Sequence, residues 1–248
     1  MNKWKQSNFF LEKVDITFIK SPIETGYFGG FIIPLTSQVR SDSYFLVCDD
    51  DIIWGNRYFE NMIRVVNEGY LCTRNGRIIN SDFHTTNAVF KNGMPENKQA
   101  CFNEDMEYDF DGHILAGRIS WLRKAWNHIP FSLENSEDFW ISATLKSFYN
   151  ISTKTPKCPC PEKDLIIPDM CAVSDKSALI HENAKVGDSI IFPKIRRKLI
   201  KEIIKRFKYK RLIITKPDYV KNMYKKYIIR DKLFILNDSI WENSLSWQ

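Results

Sequence analysis

The chain has no run of about 18 uninterrupted apolar residues, the length that a membrane-spanning helix requires, so nothing in it reads as a transmembrane segment. Its opening residues, Met1-Asn2-Lys3-Trp4-Lys5-Gln6-Ser7-Asn8, have neither the apolar stretch nor the cleavage site of a secretory signal. A cytoplasmic location is therefore expected. Six cysteines are scattered along the chain with no C-x-x-C pair, and Cys158-Pro159-Cys160 is too tight for a zinc knuckle. Reduced thiols are expected, without a cysteine metal site. There is no internal repeat and no low-complexity tract.

What is present describes a globular protein. At 248 residues, with 44% hydrophobic and 14% aromatic content, the chain can bury a substantial core. Its net charge of +6 hides an asymmetry. Residues 194–232 hold 16 Lys/Arg against 3 Asp/Glu, whereas the rest of the chain holds 20 against 27. The division expected is an acidic body over residues 1–190 and a basic C-terminal segment over 191–248.

The body is organised around Tyr44-Phe45-Leu46-Val47-Cys48-Asp49-Asp50-Asp51-Ile52-Ile53-Trp54. The apolar start reads as a short buried strand. Three consecutive carboxylates after such a strand repel one another unless something compensates their charge. Mg²⁺ or Mn²⁺ is the natural compensator, because hard cations take carboxylate and phosphate oxygens together. A solvated acidic turn is the plain alternative.

The rest of the pattern alternates strands and helices. Residues 3–13 read as a helix, Val14–Ile19 as a strand, and Ser21–Gly30 as a loop with permissive glycines. A helix begins near Phe31, and residues 56–68 fit a helix with one apolar face. Tyr70–Thr73 and Arg77–Ile79 read as strands around an Asn75-Gly76 turn. Residues 91–111 read as loop, followed by a helix over Ser120–His128. Glu134-Asn135-Ser136-Glu137-Asp138 opens a further helix, whose first-turn acids complement its dipole. A strand is expected near 150–155, a long basic helix from Phe192, and strands at Arg211–Ile214 and Lys232–Leu236. This succession predicts an α/β fold.

Four features thus stand in order: a glycine-containing loop, a strand ending in Asp-Asp-Asp, the segment Asp111-Gly112-His113-Ile114-Leu115-Ala116-Gly117, and a helix beginning Ser136-Glu137-Asp138. The order and spacing resemble those of GT-A-fold glycosyltransferases, particularly family-2-like and exostosin-like members, over roughly residues 14–185, which implies a Rossmann-like α/β fold with a mixed sheet and helices on both faces, followed by the basic helical segment. Asp49-x-Asp51 matches their D-x-D motif, and Glu137-Asp138 matches the acidic pair at a helix start. The resemblance implies a UDP- or GDP-linked sugar donor, a glycan or glycolipid acceptor, and Mn²⁺ or Mg²⁺ on Asp49, Asp51 and His181. It implies donor contacts at Asp49, Asp50, Gly112 and His113, with Asp138 as catalytic base beside Glu137. A family-2-like enzyme would invert the anomeric configuration; an exostosin-like one would retain it. GT-A domains normally open with a strand–helix–strand unit that cradles the nucleobase, and this chain is expected to lack it.

Other readings stand beside these. Glu137 and Asp138 also suit a plain helix start, and a lone histidine such as His181 or His113 is commonly an ordinary surface or turn residue. Trp121, Trp126 and Trp140 are candidates for stacking on a sugar ring, although core packing is the commoner role. Residues 194–211 suit a helix lying on anionic lipid, or one packing its Ile/Leu stripe on the body. Nucleic acid is disfavoured because no recognition motif accompanies the charge. A truncated, non-catalytic module that binds a membrane or partner through the basic segment is the alternative to an enzyme.

Overall fold

A computed structural model describes residues 26–36, 39–48, 52–53, 57–73, 76–79, 83, 85–87, 104–110, 115–133, 135–157, 167–168 and 191–220. The helix expected over 3–13 and the strands expected at Val14–Ile19 and Lys232–Leu236 lie outside these residues.

A 3-10 turn at Gly26–Phe28 leads into α1 (Gly29–Thr36), so helical structure begins within the segment expected to be a loop. The strand expected before the Asp run is β1 (Tyr44–Val47). It pairs antiparallel with β7 (Leu115–Arg118), setting Phe45 opposite Gly117 and Val47 opposite Leu115. Phe45 is buried, but Tyr44 is exposed and Leu46 and Val47 are half-buried. Full burial was expected of this strand. It is covered on one side only because, among the described residues, β1 ends the sheet and pairs with β7 alone. Gly117 makes the Phe45 contact possible: a Cβ there would sit 2.7 Å from the Phe45 ring. Arg118 closes this edge, donating to the Asn67 Oδ1 at 2.7 Å, an atom that also accepts from the Tyr44 hydroxyl.

The main sheet has the order β1-β7-β3-β8-β6, with β3 at Leu71–Thr73, β6 at Met106–Tyr108 and β8 at Thr153–Thr155. β3 and β8 run parallel, and the other pairs are antiparallel, which makes the sheet mixed. With the helices packed against it, the fold is α/β. Two small ribbons stand apart: β2 (Ile52–Ile53) with β9 (Ile167–Pro168), and β4 (Arg77–Ile79) with β5 (Thr85–Asn87).

Three local expectations are corrected. The turn at Asn75-Gly76 does not join two halves of a hairpin: β3 enters the main sheet while β4 pairs with β5. Gly76 is required for a close approach, since a Cβ there would lie 2.0 Å from Cγ of Tyr108. Residues 106–108, expected to be loop, form β6; Met106 and Tyr108 face inward around Glu107, a two-residue period too short to stand out among acids. Arg211–Ile214, expected as a strand, starts α6 (Leu212–Thr215) instead. The Leu212 N–H donates to the buried Asp109 carboxylate at 2.7 Å, so a tertiary contact overrides the β-branched run.

The helices supply the remaining core. α2 (Tyr58–Asn67) buries Tyr58, Met62, Val65 and Val66, whereas Phe59 and Ile63, expected on the same apolar face, are exposed. α3 (Ile119–Ala125) packs on α4 (Glu137–Tyr149), which buries Phe139, Trp140, Ile141, Ala143 and Leu145. Asn150 ends α4 in the left-handed region at φ 56°, and its N–H bonds to the Leu145 carbonyl. The basic helix is α5 (Ile191–Phe207), and it lies against α4. Its Ile200, Ile203 and Phe207 are buried in the same cluster as the sheet and α4. Fully burying such side chains stabilises by about 1.5–3 kcal/mol each. No described helix is long and apolar enough to cross a membrane.

Candidate active site

The acidic pair expected to act in catalysis stands at the start of α4. Ser136, just before it, takes the left-handed conformation at φ 67°, an uncommon state for a non-glycine residue. Its carbonyl accepts the first helical bond, from Trp140 N–H at 2.9 Å. Asp138 follows in the first turn, where a helix end favours an anion. It is buried at 6% exposure, so its charge needs partners.

It has two. Oδ1 accepts the Phe139 N–H at 2.6 Å. Oδ2 forms an ion pair and hydrogen bond with the Arg196 guanidinium of α5. Arg196 also lies 5.8 Å over the Phe110 ring, and Phe110 contacts the Phe139 ring edge-on at 5.1 Å. Two helices, α4 and α5, therefore meet at this carboxylate, with Phe110 packed on the Arg196 and Phe139 side chains beside it. Each carboxylate oxygen keeps a further lone pair, but a substrate hydroxyl must share Oδ2 with Arg196 or displace it. Glu137, half-buried, stands beside this pair.

Asp49, Asp50, Asp51, Gly112, His113 and His181 lie outside the described residues. Their chain anchors are described. Phe110, packed on Phe139, is the last such residue before Asp111-Gly112-His113, and Leu115 resumes the chain in β7. Leu115 is the register partner of Val47, the last residue of β1. The strand that runs toward the Asp triplet and the strand that leaves the glycine segment thus meet at one end of the sheet. Five chain steps separate Phe110 from Leu115, a span of at most about 18 Å.

The three candidate tryptophans, Trp121, Trp126 and Trp140, are not surface platforms. Trp140 is almost wholly buried, and Trp126 and Phe28 pack on it with ring centroids 5.0 and 5.6 Å away. Trp121 is also buried. Core packing is their role in this structure. Cys48 and Cys72 are both thiols.

Two residues that matter here were not singled out from the sequence. Arg196 carried a signal, because it shares the helical face of Ile200, Ile203 and Phe207, and a cation on an apolar stripe implies a buried counter-charge. Asp109 carried none. Its carboxylate is fully buried and accepts from Ile79 N–H at 2.9 Å and Leu212 N–H at 2.7 Å, while the Tyr209 hydroxyl donates to the Asp109 carbonyl at 2.7 Å with Oδ1 at 3.1 Å. Burial pushes its pKa up, against the opposing pull of the two N–H groups, Lys146 and Tyr209. Burial beside Asp109 likewise raises the Tyr209 hydroxyl well above its ordinary value. With three donors directed at it, Asp109 acts as an anchor that ties β4 and α6 to the core.

No family model, no curated protein and no solved structure matches the chain.

Proposed function

We propose that the chain is a metal-dependent glycosyltransferase of the GT-A type, moving a sugar from a nucleotide donor to a hydroxyl of a glycan or glycolipid. The observation that carries the reading is the meeting of motif anchors: the start of β7, which leaves the glycine segment, pairs with the end of β1, which runs toward the Asp triplet, and Phe110, just before that segment, packs on Phe139, the neighbour of Asp138. A leaving diphosphate needs its charge neutralised, and an attacking hydroxyl needs a nearby carboxylate to take its proton. Hard carboxylate oxygens at Asp49 and Asp51, with His181 as a further ligand, form a donor set suited to Mg²⁺ or Mn²⁺. The cation would supply Lewis acidity at the diphosphate. Asp50, Gly112 and His113 would line the donor, Asp138 would accept the acceptor proton, and Glu137 would support it. Inversion follows if the family-2-like resemblance holds, and a cytoplasmic site of action suits a nucleotide donor.

The test is release of UDP or GDP from nucleotide sugars presented with glycan or glycolipid acceptors. Turnover is expected to disappear on chelation and in Asp51→Ala; turnover that survives both contradicts the proposal. One observation favours a second reading, a non-catalytic module: both Asp138 oxygens are already engaged, and its side chain is only 8% exposed. That reading predicts no turnover with any donor while the protein remains folded.

A further inference from the structure

Four lysines of α5 stand in one row: Lys194, Lys198, Lys201 and Lys205. Their spacing of four, three and four residues confines them to about 60° of the helix circumference and spreads them over roughly 16 Å. All four are exposed. The opposite face holds Ile200, Ile203 and Phe207 in the core and Arg196 against Asp138. Among the described residues, none of the four lysines is paired with a carboxylate. Lys201 also lies 5.1 Å over the Phe83 ring. A rigid helix thus carries a straight row of charges of one sign, held outward by its own buried face.

We propose that this row is a docking strip for the headgroups of an anionic lipid surface. The contact differs from that of an amphipathic helix sunk into a bilayer, because the apolar stripe is already used by the core. What remains is an electrostatic contact, with Ile195, 49% exposed and flanking the row, as an apolar touch at its edge. Lysine ammonium groups suit this role: they attract phosphate and carboxylate headgroups as point charges, without demanding the fork geometry that arginine imposes. The same geometry argues against single-stranded nucleic acid, whose binding uses exposed rings for base stacking. Phe207 and Tyr209, which follow the row in the chain, are buried, and Phe83 is half-buried and already covered by Lys201 and Arg211. This inference does not depend on the proposed enzymatic activity.

The experiment is co-sedimentation of the full chain with vesicles of phosphatidylcholine alone, or of phosphatidylcholine with phosphatidylserine. The wild type is expected to bind only the anionic vesicles, and less as salt is raised. Replacing Lys194, Lys198, Lys201 and Lys205 together by Gln is expected to weaken that binding by about 100-fold or more. A control replaces four exposed cations elsewhere, Arg40, Arg57, Lys124 and Lys157, by Gln and is expected to cost less than a tenth of that loss. All eight positions are exposed, and an unchanged circular dichroism spectrum confirms that both variants fold. No binding to anionic vesicles, equal binding to neutral ones, or equal losses in both variants overturns the proposal. So does tighter binding of RNA or DNA than of vesicles with loss in the lysine variant, which would assign the strip to nucleic acid.

Discussion

Asp138→Asn is expected to lower sugar transfer by about 10²–10⁴-fold, the contribution of a positioned proton acceptor. The substitution is nearly isosteric and keeps an oxygen for the Phe139 N–H, so the start of α4 remains formed. It also removes the carboxylate charge that the Arg196 guanidinium pairs with. Breaking a sealed ion pair costs about 3–5 kcal/mol; Arg196 keeps 23% of its side chain exposed, so about 2–4 kcal/mol is the expected loss here. Arg196→Met separates the two effects. It destabilises by a comparable amount but leaves the carboxylate in place, so measurable transfer persists in the folded fraction. In the double variant the stability losses do not add, because neither charge is left alone. Urea denaturation and kcat, measured on all three variants, check the pattern. Equal activity in Asp138→Asn and wild type would remove Asp138 from the chemistry and leave it a structural anchor.

Asp109→Ala is expected to destabilise by about 2–5 kcal/mol. It deprives the Ile79 N–H and the Leu212 N–H of their buried acceptor together, while the Tyr209 hydroxyl keeps the residue-109 carbonyl. The start of α6 then loses its tie to the body. Asp109→Asn is milder, about 1–3 kcal/mol, because its amide must turn a donor toward one of the same donors. The pH dependence has a definite sign. The folded state holds the Asp109 proton more tightly than the unfolded chain does. Its contribution is therefore full below the unfolded value of about 4 and falls as pH rises through the folded value. The stability gap between wild type and Asp109→Asn should narrow from acid toward neutral pH, as urea midpoints across a pH series would record. Asp105 behaves oppositely. Burial pushes its pKa up, but the Arg64 hydrogen bonds and the Lys157 N–H bring it below the ordinary value. Its contribution is present above about pH 4 and is lost as pH falls through the folded value.

What could be read from the sequence was whatever left a periodic or compositional trace over several residues. β1 and α2 showed themselves by an apolar run and a helical stripe, and α4 by its acidic first turn. α5 was evident from Ile200, Ile203 and Phe207, but its stripe could serve a membrane or the core, and only packing decides. β6 was hidden because three residues carry too little pattern. α6 was misread because Ile213 and Ile214 favour strands, whereas Asp109, about a hundred residues away in the chain, caps a helix there. The same limit applies to the site. Glu137 and Asp138 were visible as a motif; Arg196, which neutralises Asp138, became evident only when α5 was seen against α4. Gly76 was legible as a glycine, but the ring of Tyr108 above it was not.

The central claim is that a divalent cation on the Asp49–Asp51 carboxylates receives a nucleoside diphosphate. Calorimetric titration of the purified chain with UDP and with GDP, in the presence and absence of Mn²⁺, tests it most directly. The account predicts saturable binding of one nucleotide that requires Mn²⁺ and is lost in Asp51→Ala. Absence of binding by both nucleotides in a folded protein, or binding indifferent to Mn²⁺ and to Asp51→Ala, would contradict it.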